Sequence, residues 1–439
     1  MSPLIIAAVI FAVTYLLLIL LTNHRPIVAV SSAIVFVVLG MLGIFDYGVL
    51  KALGAIDWNV ILMISGTMGL VALFIESKMP QLIADKIINS MPDIKWTVVM
   101  LSLFAGFVSA FIDNVATVLM IIPVALVLTD RLKISPVLPV IAIAISANLQ
   151  GAATLVGDTV SILLGSQLDL TFFDFLWYMG RPCLFFIVQI AAVLTTVYIY
   201  FVFKGHSEKP AKMEETVVKD FIPSILLLVM IVLLILASFI PQDKKPEITN
   251  GLICMALLLI GLVYSMAYKK SLVPFKTVWK GMEFDTIALL IGLFIVIGGV
   301  DEAGVIKAIG GFFSNLDIGI FGMYTILVWL SVFISAFVDN IPYVATMLPI
   351  VQILSDGYGL NSPILFFGLL MGATLGGNIT PVGASANIAS INILRSNGHK
   401  VSNGTFMKMS VPFTLIAVVT GYVLTWLIYG LGMGIGFTN

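Results

Sequence analysis

The amino-acid sequence predicts an all-α polytopic membrane protein built from two inverted-topology repeats, and three observations carry that expectation. Of 439 residues, 60% are hydrophobic and only 10% charged, against roughly a quarter charged in soluble domains. Apolar runs of about 17 to 25 residues, enough to cross a bilayer as helix, recur from end to end. The chain also repeats itself. Phe107-Val108-Ser109-Ala110-Phe111-Ile112-Asp113-Asn114 reads against Phe333-Ile334-Ser335-Ala336-Phe337-Val338-Asp339-Asn340, with Pro123 opposite Pro349, at a spacing of 339 − 113 = 226 residues.

Hydropathy places continuous spans at 3–22, 27–44, 58–77 and 182–204, then at 221–241, 250–268, 284–300 and 410–430. Two regions of each half are different. Apolar arms 96–112 and 115–129 flank Asp113-Asn114, and arms 319–338 and 341–355 flank Asp339-Asn340. Each pair (hairpins 96–129 and 319–355) reads as a re-entrant helical hairpin with its polar tip at mid-depth, tolerable only where buried in protein or lining a wet cavity. Residues 136–168 and 362–395 are too long for one crossing. They are interrupted by Asn148 to Asp158 and by Gly376 to Asn387, where glycines permit non-helical backbone and Asn, Thr and Asp offer oxygens.

Between span and hairpin, Met79, Leu82, Ile83, Ile87 and Met91 line one helical face, as do Val305, Ile306, Ile309, Phe312 and Leu316. These segments read as helices along an interface or as extensions of the preceding spans.

From residue 57 onward the repeat has no gap: Gly66 faces Gly292, Glu76 faces Glu302, Gly151 faces Gly377, Thr154 faces Thr380 and Gly157 faces Gly383. Five crossings per half is an odd number, so the halves must be inverted. The expected organisation is a first repeat over 1–204, a cytoplasmic linker over 205–220 and a second repeat over 221–439. On that layout 17 of the 22 Lys and Arg, Arg25 among them, fall on the side where the first hairpin opens. The positive-inside rule makes that side cytoplasmic and both termini external. The expected location is the (inner) membrane of a prokaryotic cell, with the first apolar run retained as a span.

Other functions are poorly served by this composition. A net charge of −1 favours no nucleic-acid partner, and Cys183 and Cys254 alone imply neither disulfide framework nor thiolate metal site. His24, His206 and His399 are scattered near loops, and no phosphate-binding Gly-rich loop with Lys-Ser/Thr occurs. No resident cofactor is expected.

A carboxylate at membrane depth is costly and usually functional. Two of them at matching places in two repeats point to a transport site at the repeat interface. Asp113 and Asp339 can each ligate a cation or carry a proton. Asn114, Asn340, Asn148, Asn378 and Thr380 can hydrogen-bond an oxyanion or complete a cation shell. Thr117, Thr154, Ser385 and Asn387 complete the candidate set, together with Asp158, which faces Ala384 in the second half. Na⁺ is expected at Asp113, Asn114, Asp339 and Asn340. Glu76 and Glu302 read as span-end groups, and Asp57, Glu283 and Asp285 as helix-start residues complementing the dipole.

Ser109 to Asn114, Val338 to Tyr343 and Gly376 to Asn387 resemble the arsenite permease, sodium/proton antiporter and melanosomal P-protein branch of the ion transporter superfamily, which also holds citrate and dicarboxylate permeases. The resemblance covers nearly the whole chain. It implies a homodimer of scaffold and transport domains working by elevator-type movement. The superfamily's dicarboxylate carriers have Ser-Asn-Thr at the hairpin tips, where this chain has Asp113-Asn114-Val115 and Asp339-Asn340-Ile341. After the first broken span many members of the branch have Gly-Asp-Pro-Pro-Asn, where this chain has Gly157-Asp158-Thr159-Val160-Ser161. The expected function is therefore secondary active transport of a small ion or anion coupled to Na⁺ or H⁺. Na⁺/H⁺ antiport, a channel-like pore and an intramembrane enzyme are the alternatives, in that order.

Overall fold

In a computed structural model, residues 2–21, 24–210, 212–270, 272–314, 318–360 and 362–436 are described. Thr22 and Leu316, which the span and amphipathic patterns include, lie outside them, as does the side chain of Phe312. Among the described residues, ten α-helices in the first half are answered by ten in the second. The first ten are α1 (Pro3–Leu20), α2 (Arg25–Met41), α3 (Val49–Gly54), α4 (Trp58–Glu76), α5 (Met79–Ser90), α6 (Ile94–Ser109), α7 (Asn114–Leu132), α8 (Val137–Gln150), α9 (Thr159–Gln167) and α10 (Leu184–Val202). The second ten are α11 (Ile222–Ala237), α12 (Thr249–Lys269), α13 (Val273–Gly281), α14 (Phe284–Glu302), α15 (Val305–Ser314), α16 (Ile320–Ser335), α17 (Asn340–Gly357), α18 (Ile364–Gly376), α19 (Ser385–Ser396) and α20 (Asn403–Thr425). Helices α4, α5, α6, α7 and α9 start 226 residues before α14, α15, α16, α17 and α19.

Local chemistry sets these boundaries. The side chains of Asp57, Asp93, Asp113 and Asp339 accept backbone N–H groups at the starts of α4, α6, α7 and α17, which satisfies donors that a helix start leaves unpaired. Helix α20 starts at Asn403, well before the apolar run at 410, because Ser402 caps it: Thr405 N donates to Ser402 Oγ at 3.1 Å. Hydropathy does not register that polar first turn. Nor does it register the short α3 and α13, or an antiparallel ribbon pairing Trp177 with Pro182 and Tyr178 with Arg181.

Seven described helices are long and apolar enough to cross a membrane: α1, α4, α7, α10, α12, α14 and α20 with its continuation to Met433. All 13 residues of α18 are buried, as is α8 from Pro139 to Gln150. A helix apolar on every side and buried on every side is core. Outer helices instead present large apolar side chains, among them Leu16, Leu228 and Val263.

The halves interlace rather than sit side by side. Helix α4 packs on α12 while α14 packs on α2, and α7 packs on α19 while α17 packs on α9. Each half thus packs helices on those of the other. Glycines allow the closest crossings: a Cβ on Gly66 would stand 2.5 Å from the Cys254 carbonyl carbon, and one on Gly292 2.6 Å from that of Ala29. Glu76 and Glu302, read from sequence as span-end groups, carry matching ion pairs, to Lys269 Nζ and to Lys51 Nζ, each at 2.7 Å.

Candidate functional site

Four helix starts meet where the two tips and the two broken spans converge. Asp113 and Asp339 precede α7 and α17, while Asp158 and Ala384 precede α9 and α19. The breaks occupy residues 151–158 and 377–384. Each tip is pinned to its neighbouring break by a threonine. Thr154 Oγ1 donates to the Ala110 carbonyl and Thr380 Oγ1 to that of Ala336, so both hydroxyl protons are committed to holding the tips.

At the centre, Asn114 Nδ2 donates to Asp158 Oδ2 at 3.2 Å and Asn340 Nδ2 donates to the same oxygen at 3.4 Å. Asn114 and Asn340 are repeat mates, so Asp158 sits between equivalent groups. Asn148 Nδ2 donates to the carbonyl of Thr374, its own counterpart 226 residues on, at 2.9 Å. A residue that touches its own mate lies at the axis relating the repeats. Asn114 also donates to Asn148 Oδ1 at 3.1 Å and accepts from Ser109 Oγ at 2.9 Å. Asn378 Nδ2 reaches the Ile145 carbonyl at 2.9 Å, which ties the second break to α8.

The two tip aspartates have unlike surroundings. Asp113 Oδ1 accepts from Val115 N at 2.8 Å and Ala116 N at 3.2 Å, and no basic side chain pairs with it among the described residues. Asp339 Oδ1 accepts from Ile341 N at 3.2 Å, while its Oδ2 accepts from Arg25 Nη1 and from Ser385 Oγ, both at 2.9 Å. The Arg25 and Asp339 side chains are only 10% and 5% exposed.

A cavity of about 160 Å³ opens beside Asp113 and Asp158, lined also by Thr67, Thr159, Lys280 and Glu283. A larger one of about 770 Å³, reaching Asp57, Asn59 and Lys245, lies beyond Ile162, which lines both. Three carboxylates and one exposed lysine around the smaller cavity suit a cation better than a free anion. No group of three or more His, Cys, Asp or Glu side chains placed to hold a metal ion together occurs among the described residues.

The sequence profile of the citrate transporter family (CitMHS) matches residues 15–367. The chain belongs to that family. Over 436 residues it is 31% identical to an uncharacterized transporter of Mycobacterium tuberculosis, covering 97% of this chain and 99% of the relative. It is 28% identical to the P protein of Sus scrofa over 494 residues, covering 95% of this chain and 58% of that longer protein. Among solved structures, the YdaH transporter of Alcanivorax borkumensis aligns with a TM-score of 0.60 at 13% identity, over 94% of this chain and 99% of that one. MtrF of Neisseria gonorrhoeae aligns at 0.55 and 15% identity, over 91% and 85%. This citrate transporter family member is thus an integral membrane transporter with a mostly helical transporter fold.

Of the remaining candidate residues in this family member, Asn387 serves the break itself. Its Nδ2 donates to the Gly377 carbonyl at 3.2 Å and approaches Asn378 Oδ1 at 3.4 Å, and its buried Oδ1 has no partner. Thr117 is buried one turn into α7 with its hydroxyl unpartnered. Two site residues escaped the sequence reading. Arg25 stands before Pro26 at the start of an apolar run, where it reads as a loop charge on the cytoplasmic side; the structure buries it against Asp339 instead. Glu283 reads as a helix-start group, as Asp57 does, and both stand at N-caps, of α14 and α4; Asp57 accepts from Val60 N at 2.9 Å. Glu283 makes no cap bond; it accepts from Thr286 Oγ1 at 2.9 Å and lines the cavity. The available signal was a charge tally: three carboxylates in apolar sequence call for a buried cation.

Proposed function

We propose that this family member is a secondary active transporter of a small ion or anion, driven by Na⁺ or H⁺, with the coupling cation taken up at Asp113, Asn114 and Asp158. One observation carries the reading: Asp158 Oδ2 accepts from both hairpin-tip amides, Asn114 and Asn340. A cation entering beside Asp113 competes with those amides for the same oxygen. Its binding therefore loosens or re-forms the junction between the two halves, which gives it differential affinity for two arrangements of the protein and hence a means of coupling.

Within this proposal the repeats are inverted, both termini are external, and the two tips open to opposite sides of the membrane of a prokaryotic cell. The transport domain moves as an elevator in a homodimer. Outer helices such as α1, α11 and α12 would then face lipid or the second copy.

A second reading is Na⁺/H⁺ antiport without an organic substrate, favoured by Glu283 joining Asp113 and Asp158 around one small cavity. Proteoliposomes separate the two. With Na⁺ and pH gradients imposed one at a time against a panel of inorganic and organic anions, a symporter accumulates an anion only under its driving gradient. An antiporter shifts lumen pH on a Na⁺ jump with no anion present. Transport indifferent to both gradients, or large single-channel currents, would sink the coupled-carrier reading.

A further inference from the structure

The repeat makes Asp113 and Asp339 equivalent by position, yet among the described residues only Asp339 is paired with a basic side chain. Arg25 enters from the start of α2, held by its Nε to the Leu18 carbonyl at 3.3 Å, and its Nη1 meets Asp339 Oδ2 at 2.9 Å. The guanidinium thus supplies a fixed positive charge to that carboxylate. Among the described residues no basic side chain pairs with Asp113; Lys280 lines the cavity beside it but makes no ion pair with it. The crossings of Gly66 on Cys254 and of Gly292 on Ala29 pair residue 29 with residue 254. At that spacing Arg25 answers to Asn250, and at the strict spacing of 226 to Gly251. A side chain on Gly251 would find Leu62 Cβ at 2.7 Å and the Asn59 carbonyl at 2.9 Å, leaving no room for a second arginine.

We propose that Arg25 is a tethered cation occupying, at the second hairpin tip, the place that a free monovalent cation such as Na⁺ would otherwise take on Asp339. The two tips are then chemically divided. Asp339 is a fixed internal pair that Ser385 Oγ completes from α19, and only the Asp113 side is open to a mobile cation. Site count follows from this division: one coupling cation per protomer, not the two that the paired Asp-Asn motifs suggest. Arg25 is a positioning residue in this scheme, acting through Asp339. The assignment of the open site to Asp113 rests on the proposed coupling, whereas the block at Asp339 stands on the ion pair alone.

Counting Na⁺ bound per protomer on the purified full-length protein, with ²²Na⁺, tests both parts. Wild type should bind one Na⁺; two would overturn the proposal. Arg25→Gln should bind one more than wild type, and Arg25→Gln/Asp339→Asn should lose that extra ion. Arg25→Lys keeps the charge and should match wild type, which a merely structural role for the arginine would not require. Equal Na⁺ counts for Arg25→Gln and the double variant would also overturn it. If wild type binds none while Arg25→Gln binds one, Na⁺ coupling at Asp113 fails and the tethered cation stands. Should Arg25→Gln not fold, the wild-type count and Arg25→Lys decide: a second Na⁺ in either refutes the block.

Discussion

A residue that bonds to both members of a repeat-related pair lies near the axis relating the repeats, and Asp158 does so through Asn114 and Asn340. That placement explains why Ala384 stands at the matching position of the second half. Near an axis the two mates approach each other, and a second carboxylate beside Asp158 would add like charge in a buried site. Asp158→Asn keeps the size of the side chain and removes the charge. It should leave a folded, purifiable transporter whose rate no longer depends on the driving cation; gradient-dependent uptake at the wild-type level would refute the role. Gly157 is held as tightly. A Cβ there would meet the carbonyl oxygens of Gly151, Ala110 and Ser109 at 2.8, 2.9 and 3.0 Å, and Gly383 faces the equivalent set at 2.6 to 2.9 Å. These are backbone atoms that cannot turn aside, so Gly157→Ala should displace the tip at a cost of about 1–3 kcal/mol. If the strain falls on the cation-bound arrangement, apparent affinity for the driving cation drops about tenfold for each 1.4 kcal/mol. A cation titration of transport checks this, and an unchanged midpoint would contradict it.

At the scale of elements, the crossings of α4 on α12 and α14 on α2 depend on small residues, as expected where packing rather than hydrophobic expulsion holds helices together. Gly66→Leu should lower the melting temperature in detergent, consistent with about 1–3 kcal/mol of overpacking, whereas Gly54→Leu, where nothing lies within 4 Å, should change it little. Similar losses at both positions would argue that the crossing is loose. The helices from residue 57 onward were largely legible because a 226-residue repeat doubles their signals: what is ambiguous around Asp113 is repeated around Asp339. Elements too short to show a period, such as α3, α13 and the Trp177–Pro182 ribbon, were not. Within the site, Asp113, Asn114, Asp158 and Asn340 were legible as polar residues in apolar sequence. Arg25 was not, because a charge beside Pro26 at a span start looks the same whether it meets water or a carboxylate 314 residues away. Glu283 was missed for a related reason: position at a helix start does not say which way the side chain turns.

For the whole molecule, reciprocal packing means that neither half holds a complete site. Asp158 belongs to the first half but takes Asn340 from the second, and Asp339 belongs to the second but takes Arg25 from the first. The linker is part of the first half's fold. Ile94 N donates to the Glu208 carbonyl at 2.9 Å, Asn89 Nδ2 to that of Met213 at 2.9 Å, and Thr216 N to Asp85 Oδ2 at 2.9 Å. An opening in the chain should therefore be tolerated after these contacts, between Val218 and Lys219, and not before them. Co-expressed pieces 1–218 and 219–439 should co-purify through a tag on either one and transport together. The first piece alone should fail to give a stable species, because it would leave Arg25 buried without Asp339, a loss of about 3–5 kcal/mol, and α4 without α12. Recovery of a monodisperse, heat-stable 1–218 fragment would mean that the halves are independent domains, and the shared carboxylate at Asp158 could then not be what joins them.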